Sequence, residues 1–159
     1  MTKLAEGDAA PDFALPDQDG RKTALKDLLK EAGPGGSVVV YFYPKDDTPG
    51  CTKEACQFDA NMKAFEKTGT TVVGISPDDA EKHQRFRAKY DLGLRLLSDP
   101  GHGTMEAYGA YGPKMLYGKK TIGVIRSTFL IGPDRKIKRA WYSVKADGHA
   151  AKVLEEAAG

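Results

Sequence analysis

The chain has 159 residues, 40% apolar and 29% charged, with 24 basic against 22 acidic side chains and a net charge of +2. That balance supports a packed core in a single domain spanning 1–159, and it excludes a disordered chain or a strongly basic nucleic-acid binder. No window approaches the roughly 18 consecutive apolar residues of a membrane span, and charged Met1–Ala10 lacks the apolar stretch of a leader, so a soluble, cytoplasmic protein without membrane contact is expected.

In chain order, Asp12-Phe13-Ala14-Leu15 followed by the turn Asp17-Gln18-Asp19-Gly20 predicts an N-terminal β-hairpin. A short helix is expected over Leu25–Lys30, stopped by Gly33-Pro34-Gly35-Gly36. Ser37–Tyr43 is a continuous β-branched and aromatic run, suited to a strand buried on both faces and ended by Pro44. A helix follows from Thr48 toward Thr68, with Ala55, Phe58, Met62 and Phe65 on one face. Thr70–Ile75 reads as a strand and Asp78–Tyr90 as an amphipathic helix with His83 on its solvent side. Leu94–Leu97 is a short strand, Gly103–Tyr108 a short helix, and Gly109–Lys120 an irregular segment. Ser127–Ile131 and Lys136–Tyr142 form a hairpin about Gly132-Pro133-Asp134, and Gly148–Ala158 closes the chain as a helix. The order predicts an α/β fold: a mixed central sheet flanked by helices, in a thioredoxin-like arrangement.

The chemistry concentrates between Tyr43 and Cys56. Thr48 suits a helix N-cap and Pro49 the first helical position, which places Cys51 in the first turn. Backbone N–H groups without intrahelical partners and the helix dipole favour an anion there, and the thiolate is the reactive form of cysteine. Cys56, the only other cysteine, lies five residues on. In an intact helix the two Cα atoms stand about 8 to 9 Å apart, beyond the roughly 6.8 Å that a disulfide tolerates. A disulfide between them therefore requires the helix start to unwind, which Gly50 should ease.

Other readings of the residues stay open at this point. Cys56, on an apolar helix face, suits an inert core thiol. A metal site has only the isolated His83, His102 and His149 to draw on, without the tight paired spacing of structural zinc sites, so no metal is expected. The four residues between the cysteines, rather than two, make a simple disulfide reductase the second choice.

Pro44-x-x-x-Thr48-x-x-Cys51 resembles the active-site motif of peroxiredoxins. The string from Tyr41 through Cys56 is similar to the bacterioferritin comigratory protein group, also called PrxQ. Pro11-Asp12-Phe13, Leu15–Gly20, Gly74-Ile75-Ser76, Leu96–Asp99 and Gly123–Ile131 resemble further parts of that group in the same order, over nearly the whole chain. The resemblance implies a thioredoxin-like fold and a thiol peroxidase without a cofactor. Cys51 would attack a hydroperoxide and become a sulfenic acid, and Cys56 would resolve it as an intramolecular disulfide. Thr48 would donate a hydrogen bond to the sulfur and the peroxide. Arg126 would hold a guanidinium beside the sulfur, and Pro44 would shield it from water. Thioredoxin or a similar dithiol would reduce the disulfide.

Asp46 and Asp47 depart from the group's usual choices, and both are expected to face water, since carboxylates pointing inward would oppose a thiolate. Phe42, Tyr43, Met115 and Trp141 are candidates for an apolar approach to the sulfur, and core packing explains them equally well. A thiol–disulfide oxidoreductase or a peroxide sensor on the same fold are the rival activities, and the protein could act as a monomer or a homodimer.

Overall fold

A computed structural model describes residues 3–159; Met1 and Thr2, the start of the expected leader-free segment, lie outside the described residues. β1 (Ala14–Pro16) and β2 (Lys22–Ala24) form the expected N-terminal hairpin, and α1 (Leu25–Ala32) follows directly. β3 (Ser37–Phe42) is buried at every position, as its unbroken apolar run predicts. α2 (Pro49–Ala60) and α3 (Met62–Lys67) replace the single helix expected over this stretch. The break falls at Asn61, whose side chain donates to the Gln57 carbonyl at 2.8 Å. That local bond offers the backbone an alternative to helix continuation.

β4 (Thr70–Ser76), α4 (Ala80–Tyr90), β5 (Arg95–Ser98) and α5 (Gly103–Ala107) agree with expectation. The segment expected to be irregular is a hairpin, β6 (Tyr111–Leu116) with β7 (Lys119–Val124). Tyr117 and Gly118 turn it with φ of 52° and 77°, the positive pair that matches a two-residue turn to strand twist. Gly112 and Pro113 lie inside β6, residue types that are unfavourable in a strand interior. β8 (Ser127–Ile131), β9 (Ile137–Trp141) and α6 (His149–Ala158) complete the chain.

Five strands form one mixed sheet in the order β5-β4-β3-β8-β9. β3 runs parallel to β4 and antiparallel to β8. Strand periodicity then divides the core into two layers. Val38, Val40 and Phe42 point to one face with Phe129, Ile131, Leu28 and Tyr108. Val39, Tyr41 and Tyr43 point to the other, where α2, α3, α4 and α6 contribute Phe58, Phe65, Phe86 and Val153. Gly74 pairs with Tyr41, and a Cβ there would lie 2.7 Å from the Tyr41 ring, so the small residue lets the ring cross its strand. Register also positions the site: Phe42 pairs with Ser127, so Arg126 emerges at the sheet edge where β3 gives way to α2. No helix among the described residues is long and apolar enough to cross a membrane.

Candidate active site

Thr48 occupies the N-cap of α2 in extended conformation, φ −99° and ψ 155°, with Pro49 opening the helix. Cys51 thus sits in the first turn, as predicted. Its side chain is 1% exposed and joins the core layer of Tyr41, Tyr43 and Ala55. Cys51 and Cys56 are both free thiols on the same unbroken helix, which keeps them apart as the helical geometry requires. Cys56 is partly buried, and burial together with nearby Asp59 pushes its thiol above the ordinary value.

Arg126 reaches Cys51 across 75 residues of sequence, its Nη2 donating to Sγ at 3.3 Å. Its Nη1 donates to Glu54 Oε1 at 2.6 Å. One planar guanidinium therefore spans the sulfur and a carboxyl a helical turn away, a fork geometry that lysine lacks. Burial works against the charged guanidinium, but Glu54 and the Cys51 sulfur outweigh it and hold Arg126 above its ordinary value. Gly50 permits the approach, since a Cβ at this position would lie 3.3 Å from Nη2.

Glu54 is the site residue that sequence reasoning passed over. Its side chain is fully buried, and burial pushes its carboxyl up to about 7 against the pull of Arg126. Burial thus favours the neutral carboxyl and Arg126 the carboxylate, with burial the larger effect. Its Oε2 finds no hydrogen-bond partner among the described residues, and neither does the Tyr41 hydroxyl. The spacing of three from Cys51 on a helix was the available signal. Lys114 also faces this region. Burial and then Arg126 lower its ammonium, and its Nζ donates to the Val124 carbonyl at 2.6 Å.

The other predicted residues are placed less directly. β3 ends at Phe42, and Pro44 lies two residues beyond it in the loop before α2. Thr48 makes no side-chain cap bond, contrary to the expected capping role, and its hydroxyl donates to the Lys45 carbonyl at 2.9 Å. Asp46 is 2% exposed, which corrects the expectation that it faces water; its carboxylate has partners within the core. Asp47 is exposed, as expected. His83, expected on the solvent side of its helix, is fully buried and bonds Asp46 Oδ2 at 2.6 Å. Phe42 lies in the opposite core layer from Cys51 and cannot line an approach to it, whereas Tyr43 and Trp141 share the Cys51 layer. Met115 is 66% exposed on the outer hairpin. An open cleft of about 470 Å³ beside the start of α2 is lined by Pro49, Gly50, Lys53, Arg126, Lys145 and neighbours. Among the described residues no cluster of three acidic, His or Cys side chains could hold a metal.

Residues 6–140 match the AhpC/TSA family. A Helicobacter pylori protein named as a peroxiredoxin, bcp, is 50% identical over 155 residues, covering 98% of this chain and 99% of that protein. Peroxiredoxin Bcp of Escherichia coli K12 is 44% identical over 154 residues, covering 97% and 96%. Among solved structures, a variant of Xylella fastidiosa PrxQ superposes with a TM-score of 0.87 at 34% identity, covering 98% and 96% of the two chains. Xanthomonas campestris bacterioferritin comigratory protein, described for its alkyl peroxide reduction, gives 0.82 at 36% identity over 91% and 89%. On these likenesses the chain belongs to the AhpC/TSA family, among the peroxiredoxins, which are peroxidase enzymes.

Proposed function

We propose that the protein reduces hydrogen peroxide and organic hydroperoxides through Cys51, with Cys56 as its disulfide partner. The Cys51 thiolate attacks one peroxide oxygen. The S–O bond forms as the O–O bond breaks, leaving Cys51 as a sulfenic acid and releasing an alcohol, or water, that takes up one proton. The observation that carries this reading is the partly buried Arg126 guanidinium 3.3 Å from the Cys51 sulfur. A fixed cation there favours the thiolate and offsets charge building on the leaving oxygen. Thr48 would turn its hydroxyl from the Lys45 carbonyl toward the peroxide, and Pro44 would cover the sulfur.

The Cys56 thiol then displaces the sulfenic hydroxyl as water, forming the Cys51–Cys56 disulfide. This step requires the first turn of α2 to unwind. Burial and then Asp59 hold the Cys56 thiol above its ordinary value, which disfavours its thiolate while α2 is intact. A thioredoxin-type dithiol would reduce the disulfide by exchange, becoming oxidised in turn. Both electrons come from sulfur, so the cycle calls on no cofactor. We read residues 1–159 as one domain, since both helical layers pack on the same sheet, and a single copy carries every residue the cycle uses.

The test is titration of the reduced protein with stoichiometric hydrogen peroxide and thiol counting. Rapid loss of both thiols into one intramolecular disulfide is expected, abolished by Cys51→Ser. Cys56→Ser should stop at a trappable sulfenic acid. Oxidation no faster than that of a free thiol would refute the assignment, and failure to turn over with thioredoxin, its reductase and NADPH would refute the reductant.

A further inference from the structure

Pro44 and Thr48 belong to a loop that buries one of its aspartates. Asp46 Oδ2 lies 2.6 Å from His83 Nδ1, and both side chains are fully excluded from solvent. His83 Nε2 lies 3.1 Å from the Leu97 carbonyl. A carbonyl oxygen can only accept, so Nε2 carries a hydrogen and the short Nδ1–Oδ2 contact holds a second. The Tyr43 hydroxyl donates to the other carboxylate oxygen at 2.5 Å. Burial keeps that phenol protonated well above its ordinary value. The backbone N–H of Asp46 donates to Asp78 Oδ2 at 2.7 Å, and Ser76 and Lys82 hold Asp78 in turn.

The next residue is fastened from outside. Asp47 adopts φ 60°, and its carboxylate takes Lys89 at 2.8 Å and Tyr90 at 2.6 Å. α4 and its lead-in thus grip two successive loop residues, one through the core and one at the surface. Fastening stops at Thr48, where the N-cap makes no side-chain cap bond and Pro49 and Gly50 follow. Burying an Asp–His pair is costly unless every polar atom is satisfied. Here each is, and Asp46 lies in sequence between Pro44 and Thr48, the two motif residues that the proposed cycle sets against a peroxide.

We propose that Asp46 and His83, closed by the Tyr43 hydroxyl, are positioning residues that fix the Pro44–Thr48 loop for peroxide reduction and stay engaged while the helix beyond Thr48 unwinds. This rests on the reading of Cys51 and Cys56 as the reacting pair. The loop is then a fixed wall of the peroxide site, and Thr48, its last residue, is the boundary of the moving part.

The test separates the two half-reactions. In Tyr43→Phe, Asp46→Asn and His83→Phe, oxidation of reduced Cys51 by hydrogen peroxide should fall about 10- to 100-fold, the scale on which small misplacements act. Reduction of the preformed disulfide by dithiothreitol should stay within about twofold, because the helix start is already open. The double variant Asp46→Asn/His83→Phe should lose no more than either single change, and His83→Gln, which keeps a donor, should recover part of the loss. Tyr43→Phe removes one hydroxyl and keeps the packed ring, so it remains informative where core variants unfold. Hydrogen exchange at the Asp46 amide should stay slow in the disulfide form while amides after Thr48 lose protection. Unchanged oxidation in Tyr43→Phe, or parallel losses in both half-reactions that track melting temperature, would overturn the positioning role. Loss of Asp46 protection on disulfide formation would overturn the boundary. A wild-type chain inert to peroxide would instead overturn the Cys51 reading, and the clamp with it.

Discussion

Replacing Glu54 with Gln should make the protein more stable at alkaline pH, although it deletes half of a buried ion pair. The carboxyl is fully buried and pushed up from 4.5 to about 7, with burial ahead of Arg126. Its folded value therefore exceeds its unfolded one, and the folded state binds the extra proton between them. The stability this contributes is complete below about 4.5 and is lost as pH rises through about 7. The gap corresponds to about 3 kcal/mol in favour of the neutral side chain. Glutamine copies that neutral form, and its carbonyl can still accept from Arg126 Nη1. The difference in unfolding free energy, variant minus wild type, should therefore climb from near zero at about pH 4.5 to about 3 kcal/mol by about pH 8. Urea unfolding of the reduced proteins across that range, followed through Trp141 fluorescence, measures it directly. A flat difference, or a variant that loses ground as pH rises, would show that Arg126 outweighs desolvation and that the carboxylate is charged throughout.

Three further outcomes are expected. Arg126→Gln should slow the first oxidation of Cys51 by about 100- to 1000-fold, the usual loss for one charge-stabilising donor, and stopped-flow oxidation that stays fast would remove Arg126 from the chemistry. Gly50→Ala should slow oxidation because its Cβ would press on Arg126 Nη2 at 3.3 Å, while helix propensity favours the alanine by about 1 kcal/mol; slower chemistry with an unchanged or higher melting temperature is the signature. His149 is held down at about 4, first by burial and then by Lys152 and Arg126. Its folded value lies below the ordinary 6.5, so the stability it confers is present above 6.5 and is lost as pH falls toward about 4, by up to about 3 kcal/mol. His149→Gln should flatten that acid limb in the same urea experiment, and an unaltered limb would count against it.

What the sequence discloses is local. The β3 run, the Thr-Pro-Gly helix start and the glycine-bearing turns each declare themselves within a few residues, and Cys51 follows from them. Arg126 does not: its place depends on Phe42 pairing with Ser127, a register set by two strands far apart in the chain. Only the family likeness singled it out. His83 and Asp46 misled for the same reason. Each sits among charged neighbours that read as a solvated face, and their burial is intelligible only once a partner 37 residues away is known. Gly112 and Pro113 weaken any single-strand reading of β6, but the β6–β7 pair is a two-stranded sheet in which both strands are edges, where proline is tolerated.

On the proposed cycle, Glu54 would serve beyond the reduced state. In the proposed cycle, oxidation of Cys51 to a sulfenic acid removes the negative charge that Arg126 faces, and with it the main electrostatic tie holding the first turn of α2. The same event creates the need for that turn to unwind. If Cys51 were the sole partner of Arg126, its departure would leave a mostly buried guanidinium unpaired, a state costly enough to resist opening. The 2.6 Å contact with Glu54 gives Arg126 a second partner three residues further along the helix. A carboxyl that is costly to bury in the closed site is thus what keeps the open site from holding an orphan cation, provided unwinding stops before Glu54.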